Sequence, residues 1–229
     1  MPPIALIVGA GDGLSASLAR LLAAEGFKVA LAARNIEKLR GLVKTIGSVS
    51  FACDASQPDE VNHLFAQVEQ ALGAPLVVIY NPSWRVRGAL VDLDPLEVSK
   101  TLEITAYGGF LVAQAAAKRQ LVLGEGAIFF TGASASVKGY PQSAPFAMGK
   151  FALRGLAQSI ARELAPRNIH VAHFVIDGGI RSATRQDPPD QPDSYLDPDA
   201  IAQTYLAILR QPRSAWTWEV ELRPWVERF

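Results

Sequence analysis

Gly9, Gly11 and Gly13, three glycines within five residues, are the first side chains whose type and spacing point to chemistry. They follow the apolar run Ile4-Ala5-Leu6-Ile7-Val8 and precede Leu14, Leu18, Leu21 and Leu22, which form one stripe at helical spacing. A strand, a glycine turn and a helix amino end make a cradle for a pyrophosphate, because bare backbone can approach the anion and free N–H groups face it. A tight strand-to-helix turn would use the same glycines, but their place at the head of an alternating chain favours a nucleotide. The second apolar run ends in Ala32-Ala33-Arg34-Asn35 without the carboxylate that would bind a ribose 2′-hydroxyl. Arg34 offers a charge-assisted fork for a 2′-phosphate instead, which favours NADP(H) over NAD(H).

Other chemistries find little support. His63, His170 and His173 lack partners at metal-ligand spacing, and on one strand His170 and His173 point to opposite faces, so no metal site is expected. Cys53 is the single cysteine, which excludes an internal disulfide and fits a reducing compartment. Lysine and arginine total 22 against 22 aspartates and glutamates, leaving no field to gather nucleic acid or an acidic membrane surface. The opening Met1-Pro2-Pro3-Ile4 has no basic region followed by a signal-length apolar run, and no stretch reaches membrane-spanning length. A cytoplasmic protein acting on a small molecule is the expectation.

These residues need a scaffold, and 229 residues suit one core. Short apolar runs at 4–8, 29–32, 49–52, 76–80, 127–130, 171–176 and 216–222 read as strands buried on both faces. Helical spacing occupies 36–46, 58–72, 95–122, 143–164 and 198–210 besides the first stripe, the last opened by Asp197 and Pro198. Alternation of this kind predicts an α/β fold: one doubly wound domain over 1–229, with a seven-stranded parallel sheet and helices on both faces. The last run alternates Trp216, Trp218, Val220 and Leu222 with polar residues, as an edge strand with one buried face would. Residues 184–196, rich in proline and aspartate, have little to bury and read as a loop or lid.

The glycine spacing, with Ser15 in the third glycine's place, resembles the Gly-x-x-x-Gly-x-Gly motif of the short-chain dehydrogenase/reductase family, and further matches run from Ile4 to Leu222. The resemblance implies a Rossmann-type fold and a nicotinamide dinucleotide held by Gly9, Gly11, Asp12, Gly13, Leu14 and Ser15. It adds Arg34, Asp54 beside the adenine, Asn81 and Pro82 after the fourth strand, Lys150 on the nicotinamide ribose, and Gly178 and Ile180 at the nicotinamide amide. Asp12 stands where NADP-preferring relatives often carry a basic residue.

Family members reduce carbonyls by hydride transfer while a tyrosine protonates the oxygen and a lysine four residues later lowers its pKa. Four residues on a helix place both groups on one face. Here the segment reads Phe146-Ala147-Met148-Gly149-Lys150, so the lysine remains and the phenol is absent. Counting back thirteen residues for the family's carbonyl-polarising serine reaches Ala133, with Ser134 adjacent as the expected catalytic hydroxyl, and the relay asparagine's position holds Thr105. Tyr140, Tyr80, Tyr107, Ser134 and Lys150 are the alternative proton sources.

The leading expectation is an NAD(P)(H)-dependent oxidoreductase with altered proton delivery, acting on a small organic substrate such as an iminium or another acceptor that needs no tyrosine. The alternative is a dinucleotide-binding protein without catalysis that senses redox state or supports a partner. The resemblance also implies a homodimer or homotetramer through helices 95–122 and 143–164, where Phe151, Leu153, Leu156, Ala157 and Ile160 supply surplus apolar surface.

Overall fold

The structure is a computed structural model and describes residues 2–227. Seven strands alternate with seven α-helices: β1 (Ile4–Val8), α1 (Leu14–Ala24), β2 (Lys28–Ala33), α2 (Arg40–Ile46), β3 (Val49–Ala52), α3 (Pro58–Ala71) and β4 (Val77–Tyr80) form the first part. They continue through α4 (Pro95–Leu102), α5 (Gly108–Leu123), β5 (Gly126–Thr131), α6 (Ala144–Leu164), β6 (Ile169–Ile176), α7 (Pro198–Leu209) and β7 (Glu219–Leu222). All six strand pairings are parallel, in the order β3-β2-β1-β4-β5-β6-β7. The expected doubly wound sheet is therefore present, and it reverses direction between β1 and β4, the place where such folds bind ligands outside the strands' carboxyl ends.

Burial explains the arrangement. The central strands are buried along their length, so each must be covered twice. On one face α3, α5 and α6 bring Phe65, Val112 and Leu153 onto Val8, Tyr80 and Phe130. On the other α1, α2 and α7 bring Leu18, Leu42 and Tyr205 onto Ile7, Phe129 and Phe174. None of the helices among the described residues is long and apolar enough to cross a membrane.

Several features differ from the sequence expectation. The helix expected over 95–122 contains a wider π-helical turn at Glu103–Tyr107, centred on buried Thr105. Strand β7 begins at Glu219 rather than at 216: Arg213–Ala215 form a 3-10 turn, and Trp216 stacks on His170 with ring centroids 4.6 Å apart. Glu219, expected on a polar face, is drawn inward by a two-pronged contact with Arg154 at 2.6 and 2.7 Å and a 3.1 Å contact to His173.

Candidate functional site

The carboxyl ends of β1 to β6 converge on two adjoining clefts of about 290 and about 440 Å3. The first is lined by Gly9, Arg34, Lys38, Asp54, Pro82 and Ile104, among others. Gly9 has φ +80°, and a Cβ there would lie 2.6 Å from the Pro82 nitrogen, so only glycine fits between the ends of β1 and β4. Gly11 and Gly13 face open space. Helix α1 follows Gly13 with no side-chain cap and no acid in its first turn, leaving the Leu14 and Ser15 N–H groups open to an anion. A pyrophosphate fits this cradle.

Ser15 is turned inward. Its buried hydroxyl donates to the Gly9 carbonyl at 3.1 Å and accepts from the Asn81 amide at 2.7 Å, so it braces the glycine turn against β4 and is not aimed at a phosphate. The Asp54 carboxylate accepts from the Ser56 amide and hydroxyl at 3.0 and 2.7 Å and opens the turn into α3, while still lining the first cleft. Asp12 lies apart from both clefts, in a recess with Ser17, Arg20 and Arg181. Lys38, which sequence reasoning missed, joins Arg34 because the turn after β2 brings it back over the cleft.

The second cleft holds Leu14, Asn81, Ser134, Phe146, Lys150, Gly178 and Ile180. Lys150 is buried in α6 and donates to the Thr131 carbonyl at the end of β5, 2.7 Å away. Burial pushes its ammonium down to about 8. Phe146 lies one turn earlier, with the Lys150 nitrogen 5.8 Å from its ring centroid. Ser134 lines the cleft and also hydrogen-bonds Asp177; burial works to raise the Asp177 carboxyl, but Ser134 and Lys138 outweigh it and hold it below the usual range. Gly178, with φ +153°, passes so close to Pro224 that a Cβ would sit 2.7 Å from its ring.

Thr105 accepts from the Trp84 amide at 3.3 Å and packs against Gly149, fixing the loop after β4 to α6. Of the tyrosines, Tyr80 is buried and donates to the Ile104 carbonyl, with burial raising its pKa further, and Tyr107 stacks on Phe110 at the surface. Tyr140 alone among the described tyrosines lines the cleft. Cys53 is no nucleophile, since burial raises its thiol to about 12. His173 is kept neutral, pushed down to about 4 by burial against the pull of Glu219, and no group of residues among those described could hold a metal.

The family model described as short chain dehydrogenase matches residues 3–192. The chain belongs to the short-chain dehydrogenase family. By that membership it is an oxidoreductase, and its sequence relatives agree: it is 27% identical over 227 residues to an uncharacterised oxidoreductase of Staphylococcus aureus strain N315, covering 96% of both chains. A short-chain dehydrogenase from Rhodopseudomonas palustris is 38% identical, with a TM-score of 0.84 over 97% of this chain and 99% of that one. A metagenomic short-chain oxidoreductase solved in complex with NADP is 26% identical, with a TM-score of 0.85 over 97% of each chain.

Two arginines of the second cleft were not singled out from the sequence. Arg85, after β4, carries its guanidinium 5.1 Å from the Phe146 ring centroid, and Arg185, after β6, lines the same space. Their position on loops at strand carboxyl ends was the available signal, since ligand-binding residues of short-chain dehydrogenases and other open α/β folds sit there.

Proposed function

We propose that the protein is an NADP(H)-dependent oxidoreductase that exchanges a hydride with a small carbonyl or alcohol substrate and moves the accompanying proton without a tyrosine at position 146. The observation that carries this reading is Lys150: a buried ammonium anchored on Thr131, at the floor of a cleft continuous with a glycine cradle made for a pyrophosphate. The bound dihydronicotinamide would supply the hydride to the carbonyl carbon, and the electron pair of the C=O π bond would move to oxygen. Lys150 then supplies the proton to that oxygen through water, its pKa, pushed down to about 8, making the ammonium a competent donor at neutral pH. Gly178 and Ile180 border the nicotinamide end, and Asn81 with Ser15 keeps the glycine turn seated.

The preference for NADP(H) rests on Arg34 and Lys38 at the adenosine end, with no carboxylate at the end of β2, and draws support from the relative solved with NADP. A homodimer or homotetramer is supported by Tyr107, Phe110, Met148 and Phe151, which stay exposed on α5, α6 and the turn before α5, whereas Leu153 and Ala157 are spent in the core. The single buried thiol suits a cytoplasmic setting. Fluorescence titration with NADPH and NADH, followed by a hydride-transfer screen with each, tests the reading: tighter NADPH binding with turnover is expected, and absence of dinucleotide binding would overturn it.

A further inference from the structure

The second cleft has an unbalanced charge. Arg85, Arg185 and Lys150 line it, and no aspartate or glutamate does among the described residues. Arg85 is exposed and makes no hydrogen bond or ion pair among the described residues, and its guanidinium lies over the Phe146 ring. Phenylalanine has a negative ring face that holds a guanidinium in place without neutralising it. Arg185 touches only the Ile180 carbonyl at 3.3 Å and the Tyr195 ring with its guanidinium.

Asp177, bonded to Ser134 at the cleft wall, is paired with Lys138 at 2.9 Å, and three acids of the nearby loop and helix cap are engaged elsewhere. Arg181 gathers Asp187, Asp193 and Asp197 at 2.5, 3.2 and 3.3 Å, so three aspartates of the acidic loop and the following helix cap are clamped to one guanidinium outside the cleft. The short segment that carries Arg185 also divides its residues. Thr184 and Gln186 border the recess beside Gly13, while Arg185 borders the space around Phe146 and Lys150, at the substrate end. Two unpaired, always-charged forks in one cleft match the geometry of a carboxylate. An acceptor carrying only positive charge, such as an iminium, would meet three cations there.

We propose that the substrate is an oxo acid, a carbonyl compound whose carboxylate is held by Arg85 and Arg185 while its carbonyl faces Lys150. This rests on the oxidoreductase reading for its carbonyl, and its test separates the two. Benzoate and benzamide are titrated calorimetrically into the NADPH-loaded protein, a measurement that needs no turnover. Benzoate should bind at least about 10-fold more tightly, and Arg85→Gln and Arg185→Gln should each remove most of that preference. In parallel, kcat/KM for phenylglyoxylate and 4-oxopentanoate should exceed that of their methyl esters by at least about 10-fold in the wild type and by little in either variant. Benzoate preference without any turnover would uphold the anion site and sink the redox reading. Equal binding of benzoate and benzamide would overturn the proposal, as would an Arg185→Gln variant that weakens NADPH binding and leaves the benzoate preference intact, since Arg185 would then serve the cofactor.

Discussion

The two halves of the binding cleft follow different rules. At the glycine end, backbone sterics decide nearly everything: Gly9 has no room for a Cβ, Ser15 and Asn81 brace the turn, and α1 presents free N–H groups. At the Phe146 end, an apolar ring lies one turn before Lys150, and cations gather around it. The lesson is that a dinucleotide cradle is fixed by what cannot fit, whereas the proposed reacting end is defined by which charges are left uncompensated. A fold can keep the first intact while the second changes its chemistry.

The contrast breaks most clearly at Lys150. Lys150→Met should lower kcat/KM for carbonyl reduction by at least about 10²-fold, since it removes the proposed proton donor. In the wild type the rate should fall as pH rises through about 8, because the ammonium is lost, and steady-state profiles of the two proteins should differ by that limb. Stability moves the other way. Burial pushes Lys150 down from an ordinary value of 10.5 to about 8, so between those values the unfolded chain binds more protons, and the penalty Lys150 imposes on folding fades as pH rises through that window. Urea denaturation of wild type and Lys150→Met across pH 7 to ~10.5 reads it, and a stability difference that stays constant would deny the burial effect.

The glycine end has its own test in Arg34→Ala. Its exposed guanidinium should be worth about 1.5 to 3 kcal/mol to a 2′-phosphate, so NADPH affinity should drop by about 10-fold or more while NADH affinity holds. Equal affinities for both cofactors in the wild type would remove the basis for it. The reacting end is sharpened by Phe146→Tyr, which places a phenol one turn from the Lys150 ammonium. Carbonyl reduction should rise about 10-fold provided the hydroxyl finds a partner in place of the Arg85 contact, with thermal unfolding measured alongside. The smallest effect is expected in residues 184–196. Hydrogen exchange there should slow by a few-fold on NADPH binding, because the Arg181 clamp already ties Asp187 and Asp193 down, and identical exchange with and without NADPH would deny it a lid's role.

Much of this was legible in the sequence, for a physical reason. Strands buried on both faces must be short and apolar, and the segments between them must carry one apolar stripe, so the doubly wound sheet was readable from Ile4 to Leu222. The glycine turn was readable because its constraint is local. What the sequence hid depends on distant partners. The π-helical turn arises where Thr105 packs on Gly149 and accepts from the Trp84 amide, contacts spanning three elements. The inward turn of Ser15 depends on Asn81, 66 residues away. The three-aspartate clamp of Arg181 exists only once the connection from β6 to α7 folds back on itself, and the stacking of Arg85 on Phe146 only once the loop after β4 meets α6. Such contacts leave no periodicity to read.

The central claim is that hydride transfer survives at a site with phenylalanine at 146. It is tested most directly by single-turnover reaction of the wild-type protein with NADPH carrying deuterium at the transferring C4 position, against a panel of oxo acids, ketones and diones. Deuterium is expected on the carbinol carbon of at least one product, with oxidation of NADPH slowed by the heavy isotope and by Lys150→Met. Tight NADPH binding with the label retained on C4 across the whole panel would contradict it and mark the protein as a dinucleotide binder without this chemistry.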